Sequence, residues 1–235
     1  MKKTLFILMA ALPLLFVSCD GKQNPDNPGT DVPGGETPGG SESPDKSSSL
    51  GINALDLGLS VEWADKNLGA KSPGDAGYYF MWGETQPKDN YAWAAYKYGD
   101  SESTLTKYNL TDGKTKLDLS DDPAHVLLGG KWRTPTAQEW LALKQACTWT
   151  WTKQDGSNGA LATAPDGTIV FFPASGGKLG GSLQDAGKWG FFWTSSRIDD
   201  DPAKAWCFFV QSSGISYDSF KRYYGMPIRA VRDKE

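Results

Sequence analysis

The run Gly129-Gly130-Lys131-Trp132-Arg133-Thr134-Pro135-Thr136-Ala137-Gln138-Glu139-Trp140 constrains the fold more than any other stretch of this chain. The Thr136 hydroxyl is placed to accept from the Glu139 amide, and the Glu139 carboxylate to accept from the Thr136 amide. This reciprocal pair is a capping box, which satisfies two of the orphan N–H donors at a helix start. Pro135 before the cap and Trp140 at the fourth helical position have the spacing of a hydrophobic staple. Trp140, Leu143 and Cys147 then fall on one face, with Leu141 and Ala146 beside it. A helix is predicted over 137–146. Gly129-Gly130 breaks whatever precedes the motif.

A shorter helix is predicted over about 121–128. Ser120 serves as its cap, Asp121 and Asp122 lie in the first turn, and Pro123 is near the start. Around the two helices the chain reads as strands. Residues 54–63 read as a strand pair or bent strand, and Tyr78-Tyr79-Phe80-Met81-Trp82 as a buried strand. Thr148-Trp149-Thr150-Trp151-Thr152 alternates and reads as half-buried. A hairpin is predicted over 160–172 around Pro165-Asp166-Gly167. Residues 175–186 read as a Gly-rich loop, and 190–195 and 205–211 as strands. A last strand falls within 223–231, where Gly225 and Pro227 mark a bulge or an edge. Residues 88–117 lack a period and carry Tyr91, Trp93, Tyr96, Tyr98 and Tyr108, so they read as a long ordered loop pinned to the core by its aromatics. The fold class is α+β, with two helices among short, meandering, mostly antiparallel strands.

The N-terminus has a different character. Lys2-Lys3, the apolar run from Leu5 to Val17, and then Ser18-Cys19 read as a secretory signal over residues 1–18, too short to be a comfortable membrane span. Phe16-Val17-Ser18-Cys19 resembles a bacterial lipobox, with Phe16 where Leu is usual; the resemblance makes Cys19 an acylated mature N-terminus. Two or three acyl chains on one cysteine suffice for stable anchoring. From Asp20 to Leu50 the chain holds five Pro, six Gly and no aromatic residue. That composition buries too little to offset ordering and predicts a disordered tether. Residues 51–235 contain all ten tryptophans and are expected to form one domain. Loss of residues 1–18 removes Lys2 and Lys3 but no acid, taking the formal charge from −4 to −6. A chain this acidic lacks the basic stripe of a general nucleic-acid binder.

Few residues read as chemistry. His125 is the sole histidine, so a His-rich metal site is excluded and a serine triad would have to use it; it reads as structural. Beyond Cys19 there are only Cys147 and Cys207, and either a disulfide or two buried thiols fits their apolar surroundings. Asp199-Asp200-Asp201 offers carboxylates suited to Ca²⁺ but reads in preference as a solvated acidic turn. Arg133 reads as a structural ion whose partner is Glu139 or Glu84. Trp189, between Lys188 and Gly190 after a Gly-rich stretch, is the tryptophan expected at the surface. No metal, cofactor or catalytic residue is assigned.

Several pieces in order carry a family resemblance: Leu55-Asp56-Leu57-Gly58-Leu59-Ser60-Val61-Glu62-Trp63-Ala64, Trp82-Gly83-Glu84-Thr85, Gly130-Lys131-Trp132-Arg133-Thr134-Pro135-Thr136, Phe192-Trp193-Thr194-Ser195-Ser196 and Tyr224-Gly225-Met226-Pro227-Ile228-Arg229. Together they resemble the Fibrobacter succinogenes major paralogous domain family over about 54–232. The resemblance implies an exported lipoprotein of the outer membrane, displayed at the cell surface, with a C-type-lectin-like fold. That fold is shared with formylglycine-generating enzymes and with retroelement-diversified receptor proteins. Function does not follow from fold, so each role needs its own residues. The oxidases of this fold need a closely spaced late cysteine pair, which Cys147 and Cys207 do not form. The calcium-dependent sugar motif of true lectins is poorly matched by Gln86-Pro87-Lys88. In the diversified receptors the stretch before the last strand forms the ligand face. Here that implies a candidate face of Arg197, Asp199, Asp200, Asp201, Tyr217, Asp218, Phe220, Lys221 and Tyr223 on late loops, with Trp189 nearby; Tyr mixed with Ser and Asp suits adaptable recognition. The expected function is non-catalytic binding of an extracellular protein or glycan. A structural adhesin or surface-assembly subunit is the alternative, followed by a diverged enzyme.

Overall fold

The computed structural model describes residues 43–234. The signal, Cys19 and the tether through residue 42 lie outside them. The strands in chain order are β1 (Ala54–Leu55), β2 (Val61–Ala64), β3 (Trp132–Arg133), β4 (Thr148–Gln154), β5 (Ser157–Thr163), β6 (Ile169–Pro173), β7 (Gly177–Leu179), β8 (Ser182–Gln184), β9 (Trp189–Arg197), β10 (Lys204–Gln211), β11 (Gly214–Lys221) and β12 (Val231–Asp233). Two helices, α1 (Pro123–Leu128) and α2 (Ala137–Ala146), flank β3. The described residues are thus α+β, and every strand pairing in their four small sheets is antiparallel.

The capping box forms as expected. Glu139 N donates to Thr136 Oγ1 at 3.2 Å, and Thr136 N to Glu139 Oε2 at 2.7 Å. Arg133 grips the same carboxylate with two nitrogens at 2.8 and 2.6 Å and reaches Asp233 at the end of β12. The box delivers Trp140 into the core, where its ring meets Trp63, Phe172, Phe192 and Phe208 at 4.8–5.5 Å. Its indole N–H, and that of Trp63, is buried without a partner. An orphan donor costs about 1–3 kcal/mol. Four ring contacts at roughly 0.5–1.5 kcal/mol each, beside the burial itself, outweigh it.

The sheet β11-β10-β9 separates two apolar clusters. Phe192, Phe208 and Val210 face Trp140, Leu143 and Trp63 on the α2 side. Trp193, Ala205 and Cys207 alternate with them and join Phe80, Trp82, Tyr91, Tyr96, Tyr98 and Tyr108 on the other. A strand buried on both faces reads as an unbroken apolar run, as β9 and β10 do. The expected long loop over 88–117 is present. Tyr91, Tyr96, Tyr98 and Tyr108 are buried, and its only helical turn is the 3₁₀ segment Trp93–Ala95.

Five expectations need correction. Residues 78–82 are not a strand. Their amides bond to three separate places, Leu68 O, Met226 O and Arg222 O, so no neighbouring strand pairs with them. The stretch 175–186 contains the hairpin β7–β8. The residues before the last strand are themselves β11, paired along its whole length with β10, and the last strand starts only at Val231. Helix α1 begins at Pro123 with Asp122 as its cap, preceded by a 3₁₀ turn over Leu119–Asp121. Proline suits that first position because its missing N–H would be unpaired there anyway. Finally, residues 43–50 are not tether-like. Gly130 N donates to Ser43 O at 2.8 Å, Lys46 N to Leu128 O at 2.6 Å, and Trp132 Nε1 to Asp45 Oδ2 at 3.2 Å.

Candidate functional site

One surface feature gathers aromatic residues from four segments. Trp189 opens β9 after a tight turn in which Asp185 and Gly187 take positive φ of 57° and 79°. These residue types tolerate that conformation. The Asp185 carbonyl accepts from Lys188 N and Trp189 N at 3.1 and 3.0 Å, which fixes where the indole starts. Alternation and register then place Trp189, Phe191, Phe209, Ser216, Asp218 and Phe220 on one face of the sheet. Past β11, Tyr224 N donates to Lys221 O at 3.1 Å and the chain turns. Lys178 and Gly225 exchange backbone bonds at 2.7 and 2.9 Å. The Tyr91 ring lies where a Cβ on Gly225 would be, at 2.4 Å, so only glycine lets this turn close on the core.

The result is a series of rings in contact, which begins on the sheet and continues into the turn after β11 and the loop residue Trp93. Centroid separations are 5.8 Å for Trp189–Phe191, 5.5 Å for Phe191–Phe220, 6.0 Å for Phe220–Tyr224, 5.0 Å for Tyr224–Tyr223 and 5.1 Å for Tyr223–Trp93. Phe209 sits beside the first two, at 5.1 and 6.2 Å. All seven rings are half-buried, so each is propped by its neighbours and keeps part of its surface in water. A cleft of about 390 Å³ adjoins these rings, between Phe191, Phe220 and Tyr224 on one side and Lys178, Leu179 and Gln184 of the β7–β8 hairpin, with Asp185 just after it, on the other. Burial, then the neighbouring Tyr224, pushes the Tyr223 hydroxyl above its ordinary pKa. It therefore stays a neutral donor and acceptor. The face offers ring surfaces, with amide, hydroxyl, carboxylate and ammonium groups at its margin.

The sequence-derived candidates are divided by the structure. Trp189, Asp218, Phe220 and Tyr223 belong to the ring series or its margin. Tyr217, 44% exposed, points to the opposite face of β11, where it stacks on Phe208 and lines a separate cleft with Trp206, Leu141 and Asp199. Lys221 ends β11 in an ion pair with Glu102 at 2.6 Å. Asp199 and Asp200 are exposed in the β9–β10 turn, and Asp201 pairs with Lys204 at 2.9 Å. Arg197 is buried rather than on a loop. Its guanidinium donates to the carbonyls of Lys114, Ile198 and Asp199 and holds the turn together. The candidates therefore do not form one late-loop face.

The sequence reading missed Phe191, Phe209, Tyr224 and Trp93. Trp189-x-Phe191 and Phe209-x-Gln211 carry the relevant signal, a shared parity on adjacent strands, but it becomes legible only once register is known. Cys147 and Cys207 are free thiols in separate clusters on opposite sides of the sheet, and burial raises both thiol pKa values. His125 Nδ1 lies 3.1 Å from Trp132 O at the end of α1, a structural contact. Among the described residues no three His, Cys, Asp or Glu side chains are grouped for a metal ion, and no helix is long and apolar enough to cross a membrane. The chain matches no protein family, curated protein or solved structure with which it was compared.

Proposed function

We propose that this protein is a surface-anchored lipoprotein, acylated at Cys19, whose folded domain is a non-catalytic binding module for an extracellular protein or glycan. The domain is assigned to the C-type-lectin-like fold and to the Fibrobacter succinogenes major paralogous domain family, on the motifs given above. The observation that carries the binding reading is the series of half-buried rings from Trp189 to Trp93. Aromatic side chains held on strands supply contact area at low entropic cost, because few torsions remain to be frozen on binding. The lipid anchor rests on Phe16-Val17-Ser18-Cys19.

Two experiments test this. Glycan and surface-protein arrays probed with the full chain should give a ligand whose binding is lost in the combined Trp189→Ala, Phe220→Ala, Tyr223→Ala variant. Unchanged binding by a folded triple variant would remove the proposed face. Metabolic labelling with a fatty acid should tag the wild type and not Cys19→Ser, and an unlabelled wild type would remove the anchor.

A further inference from the structure

We infer that β11 pairs edge to edge with β11 of a second copy of this chain, so that the three-stranded sheets of the two copies continue into one another. β11 is the outer strand of its sheet, and none of its residues is buried. The turn Ser212-Ser213 closes the hairpin at the pair Gln211–Gly214, so Gly214, Ser216, Asp218 and Phe220 exchange backbone bonds with β10. Ile215, Tyr217, Ser219 and Lys221 then turn their amides and carbonyls to the open side. Tyr224 N takes the Lys221 carbonyl. The Ser219 amide donates to the neighbouring Asp218 carboxylate at 2.7 Å. Among the described residues no other segment forms a backbone bond or bridge with Ile215, Tyr217 or Ser219. An unpaired edge of this kind is a template for another extended chain. Over residues 214–220 it has no proline, lysine or bulge to guard it. β4, another outer strand with exposed residues, sets the guarding residue Lys153 on its open side.

The occupant follows from how β11 matches itself. A two-fold axis normal to the sheet keeps each side chain on its own face, so it must pass through a residue. Centred on Tyr217, the axis sets Tyr217 against the second copy's Tyr217 and Ile215 against its Ser219. Every amide and carbonyl that Ile215, Tyr217 and Ser219 turn outward then meets a partner. On the other face Asp218 comes opposite Ser216, whose hydroxyl can donate to the carboxylate. Phe220 comes opposite Gly214, where no side chain crowds the ring. No like charges oppose one another. Centred on Asp218, the axis would bring two carboxylates face to face. Centred on Ser216, it would leave Ser219 opposite the turn residue Ser213. This self-match selects a second copy over an unrelated extended peptide. About six backbone bonds must offset the freedom lost on association, which gives a weak dimer with Kd roughly 10–100 µM.

Sedimentation velocity of the full chain, in density-matched detergent with micelles in excess, tests this up to about 500 µM, well above that range. The wild type should pass from monomer to dimer. Ser216→Lys places two ion pairs with Asp218 across the axis and should tighten the dimer about two- to thirtyfold, whereas Ser216→Asp should weaken it by a similar factor. Opposite shifts from one position do not arise from misfolding, and thermal melts check each variant. Under mild oxidation Tyr217→Cys should bridge to its copy, since the paired Cα atoms stand about 5.5 Å apart, whereas Ser219→Cys, roughly 14 Å from its copy, should not. The wild type sets the background from the other cysteines. A monomer at every concentration would overturn the inference. Association that both Ser216 variants leave unchanged would overturn it too, by putting the contact on another edge such as β4. Either result would leave the binding reading of the ring series standing.

Discussion

Asp121 and Asp122 are adjacent acids with different work. Asp121 accepts from Lys97 Nζ at 3.2 Å, from Tyr108 Oη at 2.8 Å and from Lys107. Burial acts to raise its pKa, but these donors outweigh burial and hold it well below the usual carboxylate range. A carboxyl with a lowered folded-state pKa stabilises the protein above its unfolded pKa, near 4, and that stability is lost as pH falls toward the folded value. Urea midpoints should therefore fall from pH 5 to pH 2. Asp121→Asn should be less stable at pH 7 and show a flatter slope over that window; equal slopes would exclude this role. Asp122 caps α1 through Ala124 N and His125 N and also takes Thr134 N at 2.8 Å and Thr134 Oγ1 at 2.6 Å. One carboxylate thus ties the start of α1 to the lead-in of α2. Asp122→Ala removes the cap and orphans two buried Thr134 groups, a cost of about 2–4 kcal/mol by denaturant titration.

At the scale of elements, what matters is which side of each strand is covered. β11 has Tyr217 and Phe220 three residues apart, and so on opposite faces. No substitution scan that treats them as one loop would find one effect. β9 enters under a tight constraint. A Cβ on Gly190 would stand 2.3 Å from Pro173 O and 2.9 Å from Val210 Cγ2, so β6 and β9 approach too closely for any side chain. Gly190→Ala should cost roughly 1–3 kcal/mol through overpacking. The midpoint of a urea melt should shift with its slope unchanged, and an unshifted midpoint would mean that the two strands separate easily. The helix α2 was legible in full because its capping box and apolar face are local. β11 was not, because Ile215 and Tyr217 face one side while Phe220 faces the other, which breaks the alternation that marks a half-buried strand.

At the scale of the whole molecule, β12 lies between β2 and β3 and brings the last strand of the described residues against one of the first. Residues 43–46 add a second closure. Gly129 and Gly130, with φ of 71° and 52°, lie so close to Pro44 and Asp45 that a Cβ would come within 2.1 and 3.0 Å. A chain beginning at Gly51 should therefore melt several degrees below one beginning at Ser43, since it exposes the Trp132 indole and loses its bond to Asp45. Equal melting temperatures would show that this segment contributes nothing.

The sequence by itself determined the parts governed by neighbours within about four residues, the capping box and the hairpin around Asp166-Gly167, and from the sum of such local signals the α+β class. Tertiary structure alone decided which rings share a face, that Arg197 is buried, and that Trp189 meets Tyr224 through Phe191 and Phe220. Sides of a strand are set by register with segments far along the chain, and a one-residue change of register would send every side chain to the other face.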